Sequence, residues 1–149
     1  MTFQHNDGGR EAAGYKGDAG DCVTRAIAIA TDIPYSEVYD SLFVLSKQHS
    51  EEKRDRVAKR IQDKGGSPRN GVWRQIYQKY LESVGWKWVP TMKIGQGCKT
   101  HLIASELPSG RVIVKVSKHM TTMIDGIIND TYDCSREGTR CVYGYFVKQ

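Results

Sequence analysis

Apolar residues recur at helical intervals in the first half of the chain and alternate with polar ones in the second. From Cys22 to Ala30, Val23, Ile27 and Ala30 share one face while Ala26 and Ile29 fill much of the rest. This predicts a helix buried nearly all round, with Asp21 as its N-terminal cap. Pro34 suits the first turn of a second helix that carries Val38, Leu42 and Leu45 beside Tyr35 and Tyr39. Residues 51–64 offer only Val57, Ala58 and Ile61 among charges of both signs, which predicts a solvated surface excursion over about 50–70. After GGSPRNG, the residues Val72, Ile76, Tyr80 and Val84 mark an amphipathic helix that stops at Gly85.

Beyond Gly85 the period shortens to two. Residues 86–91, 111–116, 119–125, 126–133 and 141–148 read as strands, and a short helix is expected after Thr100. Asp125-Gly126 between two such runs signals a tight hairpin, because both central positions of a type I′ turn need positive φ. The first twenty residues hold Gly8, Gly9, Gly14, Gly17 and Gly20 with few large apolar side chains, so a flexible, irregular arm is expected there. Helices first and antiparallel strands afterwards predict an α+β fold in a single domain over 1–149, its helical half packed on a C-terminal antiparallel sheet.

Composition narrows the function classes. The hydrophobic fraction of 39% and charged fraction of 26% are those of a water-soluble globular chain. Neither a membrane-length apolar run nor a signal-like apolar stretch near Met1 is present, so a cytoplasmic address and no membrane partner are expected. In that compartment Cys22, Cys98, Cys134 and Cys141 are read as free thiols, although Cys134 and Cys141 flank SREGTR and could close a small loop. The net charge of +5 leaves acidic partners open. Glu51, Glu52, Asp55 and Asp63 nevertheless interleave with the cations of 53–64, which favours a solvated helix over a nucleic-acid surface. Trp86 and Trp88 alternate on a strand and read as one core and one rim residue rather than a stacking platform. With no P-loop, dinucleotide fingerprint, HExxH or paired-cysteine motif, no cofactor and no metal are expected.

Three residues carry candidate chemistry. Cys22 follows the presumed cap of a buried helix, where free backbone N–H groups and the helix dipole stabilise a thiolate. Of the four histidines only His119 begins a strand within the sheet-forming half. With Asp125-Gly126 as a two-residue turn, Ile124 pairs with Ile127 and Thr121 falls opposite Asp130. Residues 119 and 121 share a face, so Asp130 is diagonal to His119, whereas Asp133 falls on the other face and Asp125 is used in the turn.

A GDC sequence opening a buried helix, followed in the β half by H-x-x-x-x-x-D-G-x-x-x-D-T-Y, resembles the papain-like cysteine peptidase superfamily. It is similar in particular to small peptidase-like proteins of bacteriophages and mobile elements. The likeness covers about Gly20 to Leu42 and Gly110 to Asp133. It implies a papain-like α+β fold with Cys22 as nucleophile, His119 as base and Asp130 as orienting acid. It further implies a protein or peptide substrate, cleaved at an amide or related acyl bond through a thioester. The chain departs from that pattern at Lys16, six residues before Cys22, where such peptidases usually carry Gln or Asn as an oxyanion donor. A second class therefore stands beside the hydrolase: a binding module with an idle triad, such as a viral protein that occupies a host protein.

Overall fold

A computed structural model of the chain describes residues 2–16, 20–93 and 95–149. Helices α1 (Cys22–Thr31), α2 (Tyr35–Glu52), α3 (Arg56–Lys64) and α4 (Arg74–Ser83) precede most of a six-stranded sheet. Its strands are β1 (Phe3–His5), β2 (Trp86–Pro90), β3 (Arg111–Val116), β4 (His119–Ile124), β5 (Ile127–Asp130) and β6 (Val142–Lys148), in the spatial order β1-β5-β4-β3-β6-β2. The architecture is α+β. The sheet is mixed rather than antiparallel throughout, because β1 pairs parallel to β5.

That edge strand corrects the expectation of an irregular N-terminal arm. Phe3–His5 lies against Ile128–Asp130, and the Asn6 N–H continues the pairing to the Asp130 carbonyl at 2.8 Å. The following turn packs on α1 so closely that a Cβ at Gly8 would lie 3.0 Å from the Arg25 carbonyl oxygen. Local sequence gave no strand signal because the ladder's partner is more than a hundred residues away.

The helices cover one face of the sheet. Val23, Ile27, Leu42, Ile76 and Leu81 meet Ile113, Met120 and Phe146 in the larger core. On the opposite face Val112, Val114, Met123, Ile128 and Val142 are covered by Leu102, Leu107 and Cys134 from connecting segments. Alternation along β3 supplies both faces at once, with Ile113 on one side and Val112 and Val114 on the other. α1 is fixed to the sheet through its own carbonyls. Thr122 donates to Ala26 O at 2.6 Å, and Arg111 donates to Ile29 O at 2.9 Å while pairing with Asp32 at 3.0 Å.

The segment over 50–70 is more integral than a surface excursion. Asp55 caps α3 by accepting from the Ala58 N–H at 2.8 Å, Ala58 and Ile61 are buried, and Ile61 belongs to the larger core. One apolar residue per turn is enough to dock a nine-residue helix whose other faces stay in water. The cysteines also differ from expectation. Cys98 and Cys141 form a disulfide with Cα atoms 5.8 Å apart, while Cys134 is a buried free thiol, so the 134–141 loop is not closed covalently. The bond fastens the segment after β2 to the start of β6. Among the described residues no helix is long and apolar enough to cross a membrane.

Gly144 shows how tightly β2 and β6 are matched. A Cβ there would lie 2.3 Å from Trp88 Cη2 and 2.9 Å from the Val89 carbonyl oxygen. Gly144→Ala is therefore expected to destabilise the fold by about 1–3 kcal/mol through overpacking. Urea denaturation should show a lower midpoint at unchanged slope.

Candidate active site

The hairpin forms in the expected register: Ile124 opposes Ile127, Met123 opposes Ile128 and Thr122 opposes Asn129. Asp125 and Gly126 take the positive φ values, 50° and 82°, that the tight turn requires. His119 begins β4 and Asp130 ends β5, so the pair sits at the end of the hairpin away from the turn. There His119 Nε2 lies 2.7 Å from Asp130 Oδ2, both residues buried. Asp130 Oδ1 accepts from the Thr131 N–H at 2.7 Å. Asp133 is spent elsewhere, accepting from the Ser135 N–H at 3.0 Å.

Cys22 is the first residue of α1, and α1 packs on β4. Its half-buried thiol shares one cleft with His119 and Met120, and the His119 ring and the Met120 N–H are the groups that act on it. Since Asp130 occupies Nε2, Nδ1 is the ring nitrogen left for the sulfur. The three residues named from sequence thus come together, although Cys22 and His119 are 97 positions apart in the chain. Whereas their positions agree with expectation, Asp21's role does not. It makes no side-chain cap bond, and its carboxylate instead accepts from Arg25 and from the Tyr35 hydroxyl and pairs with Arg10 Nε at 2.9 Å. The helix start was readable, but stronger tertiary donors claim its polar residue.

The charges of the site support one another. Burial pushes the Cys22 thiol up, but the hydrogen bond and charge of His119, the Met120 N–H and the charge of Arg25 outweigh it, and the thiol is held below its ordinary value. Burial likewise disfavours a charged His119, yet hydrogen bonds with Asp130, Cys134 and Cys22 push its pKa up to about 11. Asp130 stays below the usual carboxylate range because His119 and the Thr131 N–H overcome its burial. Thiolate, imidazolium and carboxylate are consequently the mutually favoured states.

No family model, curated protein or solved structure matches the chain. The site's chemistry therefore rests on its own geometry.

Sequence reasoning missed Arg25, whose guanidinium bridges Asp21 and Asp130, the latter at 3.8 Å. The available signal was a single charge in an otherwise apolar helix, one turn after Cys22. It also missed Cys134, whose thiol lies 3.7 Å from Asp130 Oδ2. His119, Asp130 and Cys134 present donor atoms within 4.8 Å of one another, the one such group among the described residues. A metal ion held there would need a neutral imidazole and a deprotonated Cys134 thiol, so it would bind only with release of protons. Lys16 is no oxyanion donor. Its carbonyl accepts from Arg10 at 3.2 Å and Arg69 at 3.1 Å, and its side chain is exposed.

Cys22 and His119 open onto a cleft of about 580 Å³, bordered by Trp73, Arg74, Lys115 and Tyr132. Tyr132 lies beside the imidazole with ring centroids 5.2 Å apart. The pair is thus reachable from one side and dry on the other, where Asp130 and Cys134 are buried.

Proposed function

We propose that the protein is a papain-like cysteine hydrolase that cleaves an amide or related acyl bond of a protein or peptide. The observation that carries this reading is the placing of His119 between the Cys22 thiol and the Asp130 carboxylate, with the thiol's pKa lowered and the imidazole's raised. A buried structural cysteine has no such partner, and its burial alone would push its pKa the other way.

In the reaction the Cys22 thiolate attacks the carbonyl carbon and forms the C–S bond. The oxyanion that develops faces the free N–H groups at the start of α1. His119 gives its proton to the leaving nitrogen as the C–N bond breaks, which leaves a thioester. Acylation removes the thiolate that helped hold the imidazolium, so the ring becomes a better base for the water that follows. That water's proton goes to His119, its oxygen takes the acyl carbon, and the thiolate is restored. Asp130 keeps Nε2 occupied throughout and so keeps Nδ1 toward the sulfur.

The reading is tested by iodoacetamide at about pH 6, where an ordinary thiol is almost wholly protonated. Cys22 should be alkylated at least about tenfold faster than N-acetylcysteine, with Cys22→Ala abolishing the label. A rate equal to or below that of N-acetylcysteine would remove the hydrolase and leave the binding module with an idle triad.

A further inference from the structure

The cleft at Cys22 adjoins a second cavity of about 350 Å³, and Arg74, Tyr77 and Lys115 line both. Trp88, Pro90, Met92 and Tyr143 form most of the remaining wall of the second. That size and character suit a large apolar side chain. Seven large hydrophobic residues are exposed among those described, and four of them, Trp73, Met92, Tyr132 and Tyr143, line one or other of these cavities. Exposed apolar surface gathered on a concave site marks ligand contact rather than chance.

Apart from the Cys22 thiolate itself, the charge around this surface has one sign. Arg74 and Lys115 border both cavities, Lys93 the second and Lys118 the first, and no Asp or Glu lines either among the described residues. Arg25 also borders the first, but Asp21 and Asp130 take up its charge. The other four cations form no ion pair with a described residue. Arg74 lies over the Trp88 ring at 4.8 Å, and Lys115 Nζ donates to the Val116 and His119 carbonyls at 2.9 and 3.3 Å, contacts that orient the charges without neutralising them.

A generally basic surface would not produce this contrast. In the cavity beneath the N-terminal segment Asp7, Glu11 and Asp21 offset Arg10, Lys16 and Arg25, and on α3 Asp63 stands among the cations. Beside Cys22, among the described residues, exposed aromatic residues coincide with cations whose cavities have no acid in their lining, and like charges so gathered are relieved by a negative group entering between them.

On the hydrolase reading above, we infer that the substrate is an acidic peptide. A large apolar side chain fills the cavity between Trp88 and Tyr143, and a neighbouring Asp or Glu carboxylate lies among Arg74, Lys93, Lys115 and Lys118. The site thereby selects its target by charge and apolar size together, while α1 and the hairpin supply the chemistry.

The test uses the full chain and four acyloxymethyl ketone probes with the recognition dipeptides Glu-Phe, Gln-Phe, Lys-Phe and Glu-Ala. Cys22 should be labelled in the order Glu-Phe, Gln-Phe, Lys-Phe, with about tenfold between the extremes because like charges would otherwise meet in the cleft. Added salt should narrow that ratio. Glu-Ala should label about tenfold more slowly than Glu-Phe, since its methyl leaves the apolar cavity unfilled. Lys93 and Lys118 are exposed, so Lys93→Glu with Lys118→Glu should fold normally and shrink or reverse the Glu/Lys preference. Each preference is a ratio on one protein, so any change in thiol reactivity cancels. Chloroacetamide, which lacks a recognition element, separates the two levels of argument. If it labels Cys22 faster than N-acetylcysteine but the charged probes show no order, or an order that charge reversal leaves intact, the acidic-peptide inference is overturned and the hydrolase stands. If it shows no acceleration, both fall.

Discussion

His119→Ala is expected to slow alkylation of Cys22 at about pH 6 by about a hundredfold or more, because an ordinary thiol is almost entirely protonated there. In the wild-type protein the charge and hydrogen bond of His119 are what bring the buried thiol below its ordinary pKa. Removing them leaves burial pushing upward against only the Met120 N–H and the charge of Arg25. The direction in pH follows. A thiol whose pKa is lowered keeps more of its thiolate as pH falls, so from neutral into the mildly acidic range the wild-type rate should fall less steeply than the variant's. The variant's rate should climb about tenfold per pH unit over that interval, as for any thiol below its pKa. Asp130→Asn should fall between the two. It keeps a hydrogen-bonding group beside Nε2 but removes the charge that helps raise His119. A variant whose pH–rate profile overlays that of the wild type would show that His119 does not set the state of Cys22.

The parts of this site that were legible in sequence are those fixed by short-range rules. The Asp125-Gly126 turn dictates positive φ at two positions, that dictates the register, and the register carries Asp130 to His119 across a few residues. Cys22 was readable because a helix must begin somewhere, and an apolar run after polar, small residues marks where. What could not be read depends on partners remote in sequence. Phe3–His5 has neither length nor alternation to announce a strand, and its ladder comes from β5. Cys98 finds Cys141 over 43 residues, a pairing that spacing alone does not choose among four cysteines. Val57, Ala58 and Ile61 read as a thin apolar stripe on a charged segment, and nothing local announces that α2 supplies the surface on which Ile61 enters the core. The cationic border of the cleft is assembled from Arg74, Lys93, Lys115 and Lys118, which share no motif and meet only because β2, β3 and α4 converge there.

Asp21→Ala is expected to destabilise the protein by about 3–5 kcal/mol, the cost of breaking a buried ion pair from one side. A helix cap alone would predict about 1 kcal/mol for the same change, so the magnitude distinguishes the two roles. Asp21 is 1% exposed, and it gathers Arg10, Arg25 and the Tyr35 hydroxyl onto one carboxylate. Its removal strands the half-buried guanidinium of Arg25, whose nearest remaining acid is Asp130 at 3.8 Å. The effect should therefore reach the site as well as the fold, since Arg25 then competes with His119 for the carboxylate that orients it. Asp21→Asn should lie between wild type and alanine, because an amide oxygen can still accept from Tyr35 while the charge is gone. Adding Arg25→Met to Asp21→Ala should recover part of the lost stability by removing the stranded charge, and non-additivity of about 0.5–3 kcal/mol is expected for residues in such direct contact. Urea denaturation of the two single variants and the double variant measures all three terms. A loss near 1 kcal/mol in Asp21→Ala, with additive behaviour in the double variant, would return Asp21 to the role of a simple helix cap.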